Sequence, residues 1–221
     1  MHNTIFRIIA VSLVLAFSVT LLWGISRISY DGGNVRMSMS AGQIQQDGKN
    51  KYKEVSYPTP NVDADAVNDV EGVILHHTAE PTVKRSLEIL SSPVKKVSTH
   101  VVIDTDGTRY IMAKPEKVTF HAGLSILNGR EKCNYFTIGI EFQGNTLEEP
   151  LTQDQIESGV EFLIPVIKKY NIPVSNIVTH EMVRKAYKAR YPNKRCFDKV
   201  DITPTEYNRF MKALKKKMYN Q

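Results

Sequence analysis

Residues Ile8 to Ile25 form an almost unbroken apolar run, with Arg7 just before it and Arg27 soon after. At about 1.5 Å per residue its eighteen residues reach roughly 27 Å, close to the thickness of a bilayer core. No side of the run carries a polar stripe, so it does not suit an amphipathic core helix. In this position it reads as a signal peptide or an uncleaved membrane anchor, and either role removes it from the globular fold. Gly24 and Ser26 have the small size and separation that suit cleavage after Ser26, so the cleaved and anchored readings both stay open. The expected organisation is a leader or anchor over 1–28, a flexible linker over 29–60 and one domain over 61–221.

The stretch from Ser29 to Pro58 is mostly Gly, Ser, Gln, Asn and Lys, too poor in apolar surface to offset its ordering entropy. The chain beyond it, about 160 residues, is long enough for one domain with one core. The net charge of the 221-residue chain is +6. That balance suits an anionic partner such as a lipid surface or an acidic wall polymer. No helix-turn-helix, finger or RNA-binding signature accompanies the charge, so nucleic acid is not an expected partner.

Within the domain, Glu71 to His76 contains the apolar row Val73, Ile74 and Leu75, which predicts a short buried strand. Val83, Leu87 and Leu90 have helical spacing. Val97 to Ile103 and Thr108 to Ala113 are β-rich runs flanking Asp104 to Gly107, a hairpin turn with glycine where φ is positive. Phe136 to Phe142 predicts another strand, and Ile177 to Thr179 a last short one. Thr152 to Tyr170 is the clearest helix: Thr152 and Gln155 fit a capping box, and Ile156, Val160, Leu163, Ile164 and Ile167 share one face. Pro204 to Met218 predicts a basic final helix. Strands interspersed with helices imply an α/β fold, a single domain with a central mixed β-sheet flanked by helices.

Three residues stand out as candidate ligands: His76 and His180 at strand ends, and Cys196 in a following loop. Two imidazoles and a thiolate leave a fourth tetrahedral position open, the layout of catalytic zinc, and nitrogen and sulfur donors suit zinc over magnesium or calcium. His180-Glu181 begins like a metalloprotease helix, but position 184 is Arg, so that pattern fails. Each histidine can equally be a hydrogen-bonded structural residue, and Cys133 and Cys196 can equally form a disulfide in an oxidising compartment.

The segments ILHHTAE (74–80), STHVVIDTDGTRY (98–110), FHAG (120–123), GREKCNYFTIGIEFQG (129–144), THEMV (179–183) and KRC (194–196) occur in one order. This series resembles the N-acetylmuramoyl-L-alanine amidase family, which includes phage amidases and animal peptidoglycan recognition proteins. Phe120 to Gly144 is most similar to the branch acting on anhydro-muropeptides. The resemblance implies a type 2 amidase fold and one zinc ion per chain, held by His76, His180 and Cys196. It implies Glu141 as proton carrier and Lys194 as stabiliser of the oxyanion. It also implies a substrate-contacting set of His77, His121, Lys132 and Asn134. Thr99 stands where the family often has a tyrosine assisting the metal, which places the proton transfer on Glu141. The implied reaction cleaves the amide between N-acetylmuramic acid and L-alanine, in peptidoglycan or a muropeptide. A module that binds wall peptides without cutting them is the alternative. The chain is expected to be exported to the periplasm or cell envelope, monomeric, and membrane-held if its N-terminal segment is uncleaved.

Overall fold

The computed structural model describes residues 28–31, 34–37, 51–196 and 201–219. The apolar run at Ile8–Ile25 lies outside them, and no helix among the described residues is long and apolar enough to cross a membrane. Two units divide the chain, residues 1–49 and 50–221. In the first, β1 (Ile28–Asp31) and β2 (Asn34–Met37) pair antiparallel, Ile28 opposite Met37.

In the second unit the strands are β3 (Glu54–Ser56), β4 (Val62–Val67), β5 (Gly72–His77), β6 (Val101–Ile103), β7 (Arg109–Ile111), β8 (Lys117–Thr119), β9 (Ile126–Leu127), β10 (Arg130–Glu131), β11 (Thr137–Phe142) and β12 (Ile177–Thr179). The helices are α1 (Val83–Leu90), α2 (Gln153–Tyr170), α3 (His180–Arg190) and α4 (Pro204–Tyr219). Six strands form one mixed sheet in the order β12-β5-β11-β6-β7-β3. β12, β5, β11 and β6 run parallel; β7 turns back against β6, and β3 pairs parallel to β7.

Side-chain alternation decides what each face meets. Val73, Leu75, Ile138, Ile140 and Phe142 pack with Ile156, Val160 and Leu163 of α2 and with Phe210 and Leu214 of α4. The intervening residues look the other way. Ile74 packs with Val178, Val183 of α3, Phe136 and Ala122, while Val102 packs with Leu87 and Leu90 of α1. Burial on both faces explains why β5 carries a contiguous apolar row, Val73 to Leu75, rather than an alternating one.

Local signals hold where they are strong. Thr152 accepts from the Gln155 amide, and the Gln155 side chain accepts from the Thr152 amide, so the capping box closes α2. At the β6–β7 turn Gly107 adopts φ 82°, and its amide donates to Asp104 O at 2.9 Å. The expected linker ends earlier than position 60. Tyr52 is buried and β3 is the edge strand of the main sheet, so the folded unit already includes residues 51–60. Val97 to Thr99 lie outside the strand expected there, which is confined to Val101–Ile103.

Candidate metal centre and cleft

Parallel pairing sets Glu141 of β11 beside His76 of β5. Both lie on the face turned away from α2 and α4, since their neighbours Leu75 and Ile140 fill the core there. His180 is the first residue of α3: Thr179 ends β12, and its hydroxyl accepts the Met182 amide at 3.3 Å, capping the helix. Its place is therefore a helix N-terminus rather than the strand end expected. Asp201 sits just before α4, where Ile202 enters the core and the Thr203 amide donates to Thr146 Oγ1 at 3.0 Å.

One ligand atom from each of His76, His180 and Asp201 lies within 4.8 Å of the others. Nδ1 of His180 is 2.8 Å from Asp201 Oδ2, and Nδ1 of His76 is 3.7 Å from Oδ1. The His180 contact lacks hydrogen-bond direction, and that Nδ1 has no hydrogen-bond partner among the described residues. Two ring nitrogens and a carboxylate thus converge as donors do around a shared cation. Asp201 is 0% exposed, which is costly for a carboxylate unless it is paired or coordinated. Two histidines and one carboxylate make a donor set known for catalytic zinc, with a fourth position left for water or substrate. These residues fit the metal.

Asp201, not Cys196, therefore completes the group. Cys196 is half-buried with a free thiol and is not part of it; Cys133 is also free, so the disulfide alternative falls. Lys199 stands two residues before Asp201, as Lys194 stands two before Cys196. Lys194 is exposed, its ammonium 4.1 Å from the centre of the Tyr191 ring, a cation–π seat rather than an oxyanion contact.

His77 is also displaced from its expected role. Alternation turns it to the face opposite His76, where it is buried and its Nδ1 accepts the Thr146 amide at 3.1 Å. Asn134 is occupied by backbone: its Oδ1 accepts the amides of His121 at 3.1 Å and Ala122 at 2.7 Å. Lys132 is exposed in left-handed backbone, φ 61°, at the start of a short turn. His121 does reach the site. Its Nδ1 is 3.1 Å from His76 Nε2. Burial first, and then His76, His100 and His180, hold its pKa well below the ordinary histidine value. Thr99 is buried, and its hydroxyl has no hydrogen-bond partner among the described residues.

Glu141 and His121 line an open cleft together with Ser86, Ile89 and Leu90 of α1 and with Phe120. A carboxylate beside a ligand cluster, facing an open cleft, can take a proton from a water held there.

A profile described as N-acetylmuramoyl-L-alanine amidase matches residues 66–196, well over half of the chain. This chain belongs to the N-acetylmuramoyl-L-alanine amidase family. The matched stretch contains His76, Glu141 and His180, and Asp201 follows shortly after it. The 1,6-anhydro-N-acetylmuramyl-L-alanine amidase AmpD of Haemophilus influenzae is 40% identical over 88 residues, 38% of this chain and 46% of that protein. AmpD of Enterobacter cloacae is 37% identical over 84 residues, 38% of this chain and 44% of its own length. The N-acetylmuramoyl-L-alanine amidase AmiD of Escherichia coli is 26% identical over 127 residues, 50% of this chain and 45% of that protein. The chain thus spans less than half the length of these curated relatives. Among solved structures, a selenomethionine AmpD derivative superposes with a TM-score of 0.54 at 21% identity, covering 72% of this chain and 93% of that one. PlyL superposes at 0.52 with 14% identity, covering 74% and 96%. These likenesses establish the type 2 amidase fold, and the AmpD matches support the anhydro-muropeptide branch of the family.

Proposed function

We propose that this chain hydrolyses the amide bond between N-acetylmuramic acid and L-alanine, with zinc held by His76, His180 and Asp201. The observation that carries the reading is Glu141 standing as register neighbour of His76 at the edge of the cleft. Bound at the three donors, zinc supplies a Lewis acid that polarises the scissile carbonyl and brings the pKa of a water toward neutrality.

The chain's own residues supply the rest. Glu141, 7% exposed, accepts a proton from the attacking water and delivers it to the nitrogen of L-alanine as the C–N bond breaks. The buried base and the apolar wall of Ile89, Leu90 and Phe120 limit competing water around the reacting bond. The names of the AmpD relatives favour an anhydro-muropeptide as substrate. The apolar N-terminal run favours action outside the cytoplasmic membrane, on wall or shed fragments.

The test uses the full-length chain in detergent. It should bind one zinc per chain and release peptide from purified 1,6-anhydro-muropeptides, read by mass. Zinc binding without cleavage of muropeptides or intact sacculi overturns the catalytic reading in favour of a recognition module.

A further inference from the structure

Both metal-site histidines are held from behind by one dipeptide. His76 Nε2 meets His121 Nδ1 at 3.1 Å, and His180 Nε2 meets the carbonyl oxygen of Ala122 at 3.1 Å. A carbonyl only accepts, so His180 carries its proton on Nε2. Its Nδ1, the atom facing Asp201, is left with a lone pair.

The same logic runs through His121. The Thr137 hydroxyl donates to Cys133 O at 2.7 Å and therefore offers only a lone pair to His121 Nε2, 3.4 Å away. His121 thus holds its proton on Nε2, and its Nδ1 accepts from His76 Nε2–H. The Nδ1 of His76, again the atom facing Asp201, is left as a donor to metal. Two separate chains of hydrogen bonds end in the same tautomer at both ligands.

Two observations show that the dipeptide is fixed in place. Asn134 Oδ1 accepts both of its amides, at 3.1 and 2.7 Å. The His121 ring lies against the backbone of β11 at Gly139, where a Cβ would come within 2.6 Å of His121 Cγ and 2.8 Å of Nδ1. Glycine at 139 is the condition for that seat.

We propose that His121–Ala122 is a clamp that sets the tautomer and orientation of His76 and His180, and that Asn134 is the positioning residue holding both halves of it. The inference rests on the metal role given to these two histidines. It assigns Asn134 to the metal site rather than to the substrate groove, and gives His121, which also lines the cleft, a role at the metal site. Outer-shell partners of this kind typically change metal affinity by roughly 10–100-fold.

The experiment reads long-range ¹⁵N–¹H couplings of the histidine rings in the metal-free, full-length chain, and zinc affinity by chelator competition. The unsubstituted chain should show His76 and His180 protonated on Nε2. His121→Ala should give mixed tautomers at His76 while leaving His180 unchanged. Asn134→Leu should disturb both rings, and Asn134→Asp, which keeps an acceptor oxygen, should restore them. Zinc affinity should fall about 10–100-fold in His121→Ala and Asn134→Leu. Nε2 unprotonated at either ligand in the unsubstituted chain overturns the clamp without any variant having to fold. Unchanged tautomers in His121→Ala and Asn134→Leu overturn it equally. Absence of zinc binding by the unsubstituted chain would instead sink the metal site, a separate outcome from the tautomer result.

Discussion

His76 and Glu141 are register partners on the adjacent parallel strands β5 and β11, so both side chains leave the same face of the sheet from neighbouring backbones. The relationship gives the proposed base a fixed place beside the proposed metal donors without making it one of them. Glu141→Gln keeps the shape of the side chain and removes its basicity. Turnover on an anhydro-muropeptide should fall on the order of 10²–10⁴-fold, while zinc content stays at one per chain. A loss of zinc in parallel with activity would instead make Glu141 a ligand.

Asp201 and Cys196 compete for one role and can be separated directly. Asp201 is fully buried between two histidines, so Asp201→Ala removes a donor and leaves two imidazoles facing an empty space. Zinc affinity should fall by more than the roughly 10–100-fold typical of an outer-shell partner. Cys196→Ala changes a half-buried free thiol and should leave affinity and turnover as they were. The reverse pattern in chelator competition restores the thiolate as the third ligand.

The lysines divide in the same way. Lys194 is engaged with the Tyr191 ring at 4.1 Å, so Lys194→Met should leave turnover unchanged. Lys199 bears to Asp201 the spacing that Lys194 bears to Cys196. If the family's charge-stabilising lysine keeps its spacing to the ligand, Lys199→Met should lower turnover about 10²–10³-fold with KM little changed. Steady-state kinetics on the pair decides it.

His100 is a buried neutral imidazole. Its Nε2 lies 2.9 Å from Lys117 O, and its Nδ1 accepts the Gly139 amide at 3.0 Å and faces the Thr119 hydroxyl at 3.0 Å. Burial lowers its pKa from 6.5 to about 4, opposed by the Lys117 carbonyl and the charge of Glu116. Between those two values the unfolded chain takes up a proton that the folded chain refuses, so stability falls as pH falls through this window and is level above it. A shift of that size corresponds to about 3 kcal/mol. Urea unfolding between pH 7 and pH 4 should show the loss, and His100→Gln should lessen it, leaving the part that buried His121 contributes.

The range of each interaction decides whether the sequence displays it or hides it. The capping box at Thr152 and Gln155, the Gly107 turn, the apolar row of β5 and the alternating Ile138, Ile140 and Phe142 of β11 are local, and each formed. That His76 and His77 face opposite sides of the sheet is also local, because strand alternation sends neighbours to opposite faces; which of them is the ligand came from the resemblance. Asp201 is hidden because nothing local distinguishes one lysine-spaced ligand from another. What sets it apart is Ile202 entering the core and Thr203 bonding Thr146, which only the packed chain reveals. The Ala122 carbonyl cannot be seen at all, since a backbone acceptor has no residue type. The resemblance set Asn134 among the substrate-contacting residues, and a polar side chain gives no sign in the sequence of which amides it will hold.

The start of the folded unit rests on one contact that composition does not show. Tyr52 lies in a stretch that reads as linker, yet its ring packs on the β6–β7 turn and its hydroxyl donates to Asp154 Oδ1 of α2 at 2.9 Å. Gly107 makes room for that ring: a Cβ there would stand 2.4 Å from Tyr52 Cδ1 and 3.0 Å from Asp154 O, in backbone of φ 82°. Gly107→Ala combines a left-handed alanine with a clash against a packed ring, and should cost about 2–4 kcal/mol. Tyr52→Ala removes the ring and its hydrogen bonds and should cost a comparable amount, about 2–4 kcal/mol. In the double variant the clash has no ring to meet, so the two costs should fall short of additive. Thermal unfolding of the four chains tests this. An unchanged midpoint for Tyr52→Ala would return residues 51–60 to the linker, and strict additivity would remove the packing between ring and turn.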